Sequence, residues 1–200
     1  MNRARWLPAL AVAMLPATAE AHLVSARFGD FYTGFLHPLT ALESLLPWVA
    51  LGLLGGLQRG GLARWLLLAF PAGVAAGVLL ATLWPGQAGI AGVNIASFVV
   101  VGALVLLAVR LSPSALLALA ALLGVSHGYD NGLALPPAGN VLLYVGGVAT
   151  AGYLVVALTA GAATALAATR PWGSIAVRAA GSWITAIGVM VAGLGLLAPA

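Results

Sequence analysis

The sequence contains no cysteine and no lysine, and only four acidic residues stand against eight arginines and three histidines. Without cysteine there can be no disulfide and no thiolate metal site. Charged residues make up 6% of the 200 residues, and mean hydropathy is +1.10. Soluble domains average about 25% charged residues, so a soluble globular domain is excluded. The arginines stand singly between apolar runs, so the net charge of +4 is no nucleic-acid footprint. No GxSxG, no HExxH and no phosphate-binding glycine loop occurs, and we read the chain as no enzyme. With 62% hydrophobic residues, what is present fits an all-α, polytopic membrane protein.

Residues 1–21 have the layout of a cleaved signal peptide. Arg3 and Arg5 form a positive start, and Trp6 to Leu15 is apolar but too short to span. Ala19-Glu20-Ala21 offers a small-x-small cleavage site. Residues 22–200 then form a single domain with six predicted transmembrane helices: Pro38–Leu57, Leu62–Trp84, Ile90–Val109, Pro113–Ser126, Asn140–Thr169 and Ser174–Leu197. Arg59 and Arg64 flank the first connection, Arg110 the third, and Arg170 and Arg178 the fifth. By the positive-inside rule these connections are cytoplasmic, and both mature ends face outward. Trp65, Trp84 and Trp172 near span ends read as interfacial anchors, and Trp48 as a packing residue. The Gly73-x-x-x-Gly77 spacing predicts close helix packing. Arg27 and Asp30 are expected in a solvated outer segment.

Ionisable groups inside apolar runs are costly and mark sites or pathways. Two segments hold them, HPLTALES (37–44) and HGYDNG (127–132). The orientation puts both at the outer face. Pro38 at a first helical position would leave His37 at the cap, with Glu43 and Ser44 deeper. On a helix His37 and Ser44 share a face, while Glu43 is turned away by about 120°. His127, Asp130 and Asn131 share a face if their segment is helical; Gly128 and Gly132 equally allow a break. Imidazole with carboxylate suits borderline divalent metals, so His37, Glu43, His127 and Asp130 are the candidate ligands. Cleavage after Ala21 would add His22, whose α-amine and imidazole can chelate together. Asn94 and Ser97 in the third span are expected to hydrogen-bond between helices.

These residues resemble the HupE/UreJ family of nickel and cobalt permeases. The family's first-span pattern is similar to HPxxGxDHxxAMxxVG; here HPLTALESLLPWVALG (37–52) keeps His37, Pro38 and Gly52. Glu43 replaces the Asp, Ser44 the second His, Ala41 the Gly, and Pro47-Trp48 the Ala-Met. The second pattern resembles HGxAHGxE; here HGYDNGLA (127–134) keeps His127, Gly128 and Gly132. Asn131 replaces a His and Ala134 an acid, while Asp130 is an added acid. The resemblance implies a secondary permease of the bacterial inner membrane, with mature N- and C-termini in the periplasm. It implies no prosthetic group. The cargo would be a divalent metal ion, nickel or cobalt, with zinc and copper as further candidates. The lipid bilayer, an oligomeric partner and a metalloenzyme-maturation partner are the expected associations. The alternative is a non-transporting accessory or metallochaperone subunit for metalloenzyme maturation.

Overall fold

The computed structural model describes residues 18–58, 61–86 and 89–197, with side chains given for residues 29–195. Most of the predicted signal peptide, residues 1–17, lies outside the described residues. Among the described residues there are seven helices and no strand. They are α1 (Thr18–Thr40), α2 (Leu42–Leu57), α3 (Ala63–Leu83), α4 (Ile90–Leu106), α5 (Pro113–Gly132), α6 (Val141–Thr169) and α7 (Gly173–Leu197). Three segments are each long and apolar enough to cross a membrane, Ala63–Leu83, Val141–Thr169 and Gly173–Gly195. Gly29–Thr40 and Leu42–Leu57 together make a fourth, bent by 78°, and Ile90–Leu106 is apolar but shorter.

Local chemistry explains most of the boundaries. Ser112 caps α5 by accepting the Ala115 amide at 3.2 Å, and Pro113 occupies the first turn, where its missing N–H costs nothing. Asn140 caps α6 in the same way, accepting the Leu143 amide at 3.1 Å. The 29 residues of α6 extend about 43 Å, well beyond an apolar layer of about 30 Å.

Three expectations are corrected. The first predicted span does not begin at Pro38. Pro38 is inside α1, His37 is in its last turn, and the chain breaks at Ala41. The Thr40 hydroxyl donates to the Leu36 and His37 carbonyls at 3.2 and 3.0 Å, closing the end of α1 before α2 starts in a new direction. The fourth run does not stop at Ser126, because α5 continues through HGYDNG to Gly132. Asp30 is no free solvated acid. Its carboxylate accepts the Asn140 amide at 2.7 Å and ties α1 to the start of α6.

Small residues set the packing. Gly73 and Gly77 of α3 face Gly124 and Gly128 of α5, backbone against backbone, and Gly132 lies on Val78 and Ala81. A Cβ on Gly73 would meet the Ala121 carbonyl, and one on Gly128 the Val74 main chain. The predicted glycine spacing is therefore used as expected. Gly52 and Gly56 of α2 lie on Val156 to Ala163 of α6, and Gly34 of α1 lies on Tyr144. Phe70, Leu51, Leu54, Val74 and Val101 form the interior. Trp65, Trp84 and Trp172 are exposed near helix ends, where interfacial anchors belong.

Hydrogen bonds identify the two ends of the bundle. At one end the Gln58 amide nitrogen donates to the Leu54 and Val109 carbonyls, and its oxygen accepts the Leu111 amide. Arg178 Nε donates to the Leu106 carbonyl at the same end. At the other end Tyr129 Oη donates to the Trp84 carbonyl, and Asp30 holds Asn140. Arg64, Arg110, Arg170 and Arg178 follow or begin helices at the Gln58 end, whereas Arg27 is within α1. Asp30, Glu43 and Asp130 lie at the opposite end.

Candidate functional site

Beside the glycine seam, one residue before Gly128, His127 is completely buried against Ser97 of α4 and Trp48 of α2. The break at Ala41 turns Ser44 and Trp48 of α2 toward it. Asn94 and Ser97 come from α4, Ser126 and Asn131 from α5, and Tyr144 from α6. Ser44, Asn94, Ser97, Ser126, His127 and Asn131 are the buried polar side chains among the described residues. They gather toward the end of the bundle opposite Gln58; His127 is about 8 Å below the end of α5, at 1.5 Å per residue.

The bonding pattern assigns the hydrogens. Ser97 Oγ donates to the Asn94 carbonyl at 2.5 Å. With its one proton on that carbonyl, Ser97 accepts at its 2.9 Å contact with His127 Nε2. In the tautomer that matches this arrangement His127 is protonated on Nε2, and Nδ1 presents a bare lone pair. That atom is buried without a hydrogen-bond partner. Asn131 Nδ2 donates to Ser44 Oγ at 2.9 Å and to the His127 carbonyl at 2.8 Å, which uses both of its hydrogens. A carbonyl only accepts, so the amide nitrogen faces it and Asn131 Oδ1 is left over. By the same logic Asn94 Nδ2 faces the Ser126 carbonyl at 3.4 Å, and Asn94 Oδ1 is left over. Tyr144 Oη donates to the Asn131 carbonyl at 2.7 Å.

Four buried polar atoms have no partner among the described residues: Trp48 Nε1, Asn94 Oδ1, His127 Nδ1 and Asn131 Oδ1. All belong to this cluster, since the Trp48 ring stands edge-on to His127 with centroids 6.4 Å apart. Trp48 also packs on Phe70 at 5.3 Å, as its predicted packing role requires. Buried polar atoms are nearly always bonded, and each exception calls for a reason such as a bound ion or water. Two apolar hollows of about 800 and 240 Å³ run between α4 and α5, and Ser126 borders both.

The other predicted residues sit apart from this interior. Glu43 is exposed beside buried Ser44; His37 and Asp130 are half-buried. His22 is in α1, and its side chain lies outside the described residues. Among the described residues no three of His, Cys, Asp or Glu come close enough to hold one metal ion. The structure thus separates an ionisable rim from a neutral interior. Sequence reasoning placed Asn94 and Ser97 correctly as interhelical bonding groups but did not link them to His127. The usable signal was a pair of polar residues three apart on an otherwise apolar helix.

The family model for HupE / UreJ protein matches residues 10–191. The chain belongs to the HupE/UreJ family. This family is associated with nickel and cobalt transport or with urease and hydrogenase accessory functions, and is not known for enzymes. No curated protein and no solved structure was found to match the chain. The two positions at which the HupE/UreJ patterns quoted above have histidine and this chain does not, Ser44 and Asn131, are hydrogen-bonded to each other here. Both substitutions therefore fall on one spot in the fold.

Proposed function

We propose that this HupE/UreJ protein is a secondary permease of the bacterial inner membrane that imports a divalent transition metal, nickel or cobalt. Its six apolar segments would cross the bilayer, with the arginine end cytoplasmic and both mature ends periplasmic. The observation that carries the reading is the buried His127 with its bare Nδ1. Imidazole nitrogen suits borderline divalent ions. A ligating histidine typically donates its other ring N–H to a fixed acceptor, and Ser97 is such an acceptor. His22, His37, Glu43 and Asp130 at the outer end would meet the ion first and concentrate it by charge. With no nucleotide-binding loop, the driving force would be an ion or membrane gradient. Cells expressing the protein should accumulate radiolabelled nickel or cobalt, and His127→Ala and Glu43→Gln should each bring uptake to the level of cells without it. Unchanged uptake in both variants would overturn this assignment.

A second reading, a non-transporting accessory subunit for metalloenzyme maturation, is favoured by one observation. No full set of ionisable ligands comes together among the described residues. Copurification of a stable partner, with no metal uptake into liposomes containing the protein alone, would select it.

A further inference from the structure

The buried cluster is unbalanced in a specific way. Three of its four unpartnered atoms are acceptors, the His127 ring nitrogen and the amide oxygens of Asn94 and Asn131, and one, the Trp48 indole N–H, is a donor. The geometry turns these acceptors away from protein donors. The Asn131 hydrogens are spent on Ser44 and the His127 carbonyl, the Asn94 amide nitrogen faces the Ser126 carbonyl, and the His127 proton is spent on Ser97. Asn94, His127 and Asn131 are at most 3% exposed, so bulk water does not satisfy them. A surplus of buried lone pairs calls for a donor or a cation, and a cation bound there would be held by neutral atoms alone. No carboxylate belongs to the cluster, and Glu43, next in sequence to Ser44, is exposed.

We propose that Asn94 and Asn131 supply amide-oxygen ligands that, with His127 Nδ1, form an uncharged transit site for the borderline divalent cation. The proposal rests on the permease reading and says what kind of site the ion passes. Neutral nitrogen and oxygen atoms replace part of a hydration shell without fixing the ion by charge. Conduction needs binding favourable enough to admit an ion and weak enough to release it. The acids stay at the rim, where they attract the ion; the interior holds it lightly. The thioether and thiolate ligands that select copper(I) are absent from the cluster. Asn94 is thus a ligand and more than a tie between α4 and α5.

The test adds charge without changing shape. In the purified full-length protein, Asn94→Asp and Asn131→Asp should bind nickel and cobalt at least tenfold more tightly, read as metal-dependent thermal stabilisation. The tightening should grow with pH as the new carboxyl ionises. In cells both variants should take up radiolabelled metal several-fold more slowly, because the ion is held. Asn94→Ser, smaller and neutral, keeps the test valid if the acidic variants do not fold, and should weaken metal stabilisation. If the folded variants bind and transport like the wild type while His127→Ala abolishes uptake, the amide ligands are overturned and the permease reading stands. If His127→Ala also transports normally, the site reading falls with them.

Discussion

Gly128→Ala tests whether the α3–α5 seam is as close as the structure has it. The new methyl would meet the Val74 main chain, with the Val74 Cα at 2.7 Å and its carbonyl carbon at 2.8 Å. Real Cβ contacts do not come this close, and a backbone atom cannot rotate aside, so the helices must part. Overpacking of this kind costs about 1–3 kcal/mol. Against that, alanine favours a helix interior over glycine by about 1 kcal/mol. The net expectation is a loss of up to about 2 kcal/mol. At about 2–4 °C per kcal/mol for a chain of this size, thermal unfolding should move down by several degrees. Gly161→Ala is the matched control. It is also helical, but nothing lies within 4 Å of its added Cβ. It should gain the propensity term alone and unfold at or above the wild-type temperature. Purified protein in one detergent, followed by heating, gives both numbers. If Gly128→Ala unfolds no lower than Gly161→Ala, the close seam is wrong.

Two further substitutions examine the ends of the bundle. Asp30→Ala removes the acceptor of the Asn140 amide and should cost about 0.5–1 kcal/mol, since the bond is charge-assisted but partly screened; protease sensitivity of the segment around Phe31 should rise, and no change in cleavage rate would refute the latch. Gln58→Ala deletes three hydrogen bonds, two of which join α2 to the α4–α5 connection, and should destabilise by about 1–3 kcal/mol. Gln58→Glu should not rescue it, because a carboxylate cannot donate to the Val109 carbonyl; wild-type stability in the glutamate variant would contradict the bonding pattern.

Helix positions were legible from apolar runs, and the turns from Gly, Pro and Arg, because those signals are local. Failures arose where a tertiary partner decides. The break at Ala41 is closed by Thr40, whose hydroxyl looks in sequence like any other within an apolar run. Asp30 read as solvated because its partner, Asn140, is 110 residues away. His127 was legible as a costly residue in an apolar run, and its depth was not, since that depends on Ser97 of α4 and Trp48 of α2, 30 and 79 residues away. Neighbours in sequence part once the helices pack: Ser44 is buried beside exposed Glu43, and Asn131 is buried beside half-buried Asp130. Periodicity alone cannot show which neighbour points inward when every face is apolar.

Gln58 has a mechanical consequence. One uncharged side chain pins α2 to the connection between α4 and α5, with its donors both satisfied. At the opposite end the same helices are tied by Asn131 to Ser44 and by Ser97 to His127, yet four polar atoms there have no partner among the described residues. Both ends are therefore fastened, and only one of them keeps bonding capacity to spare.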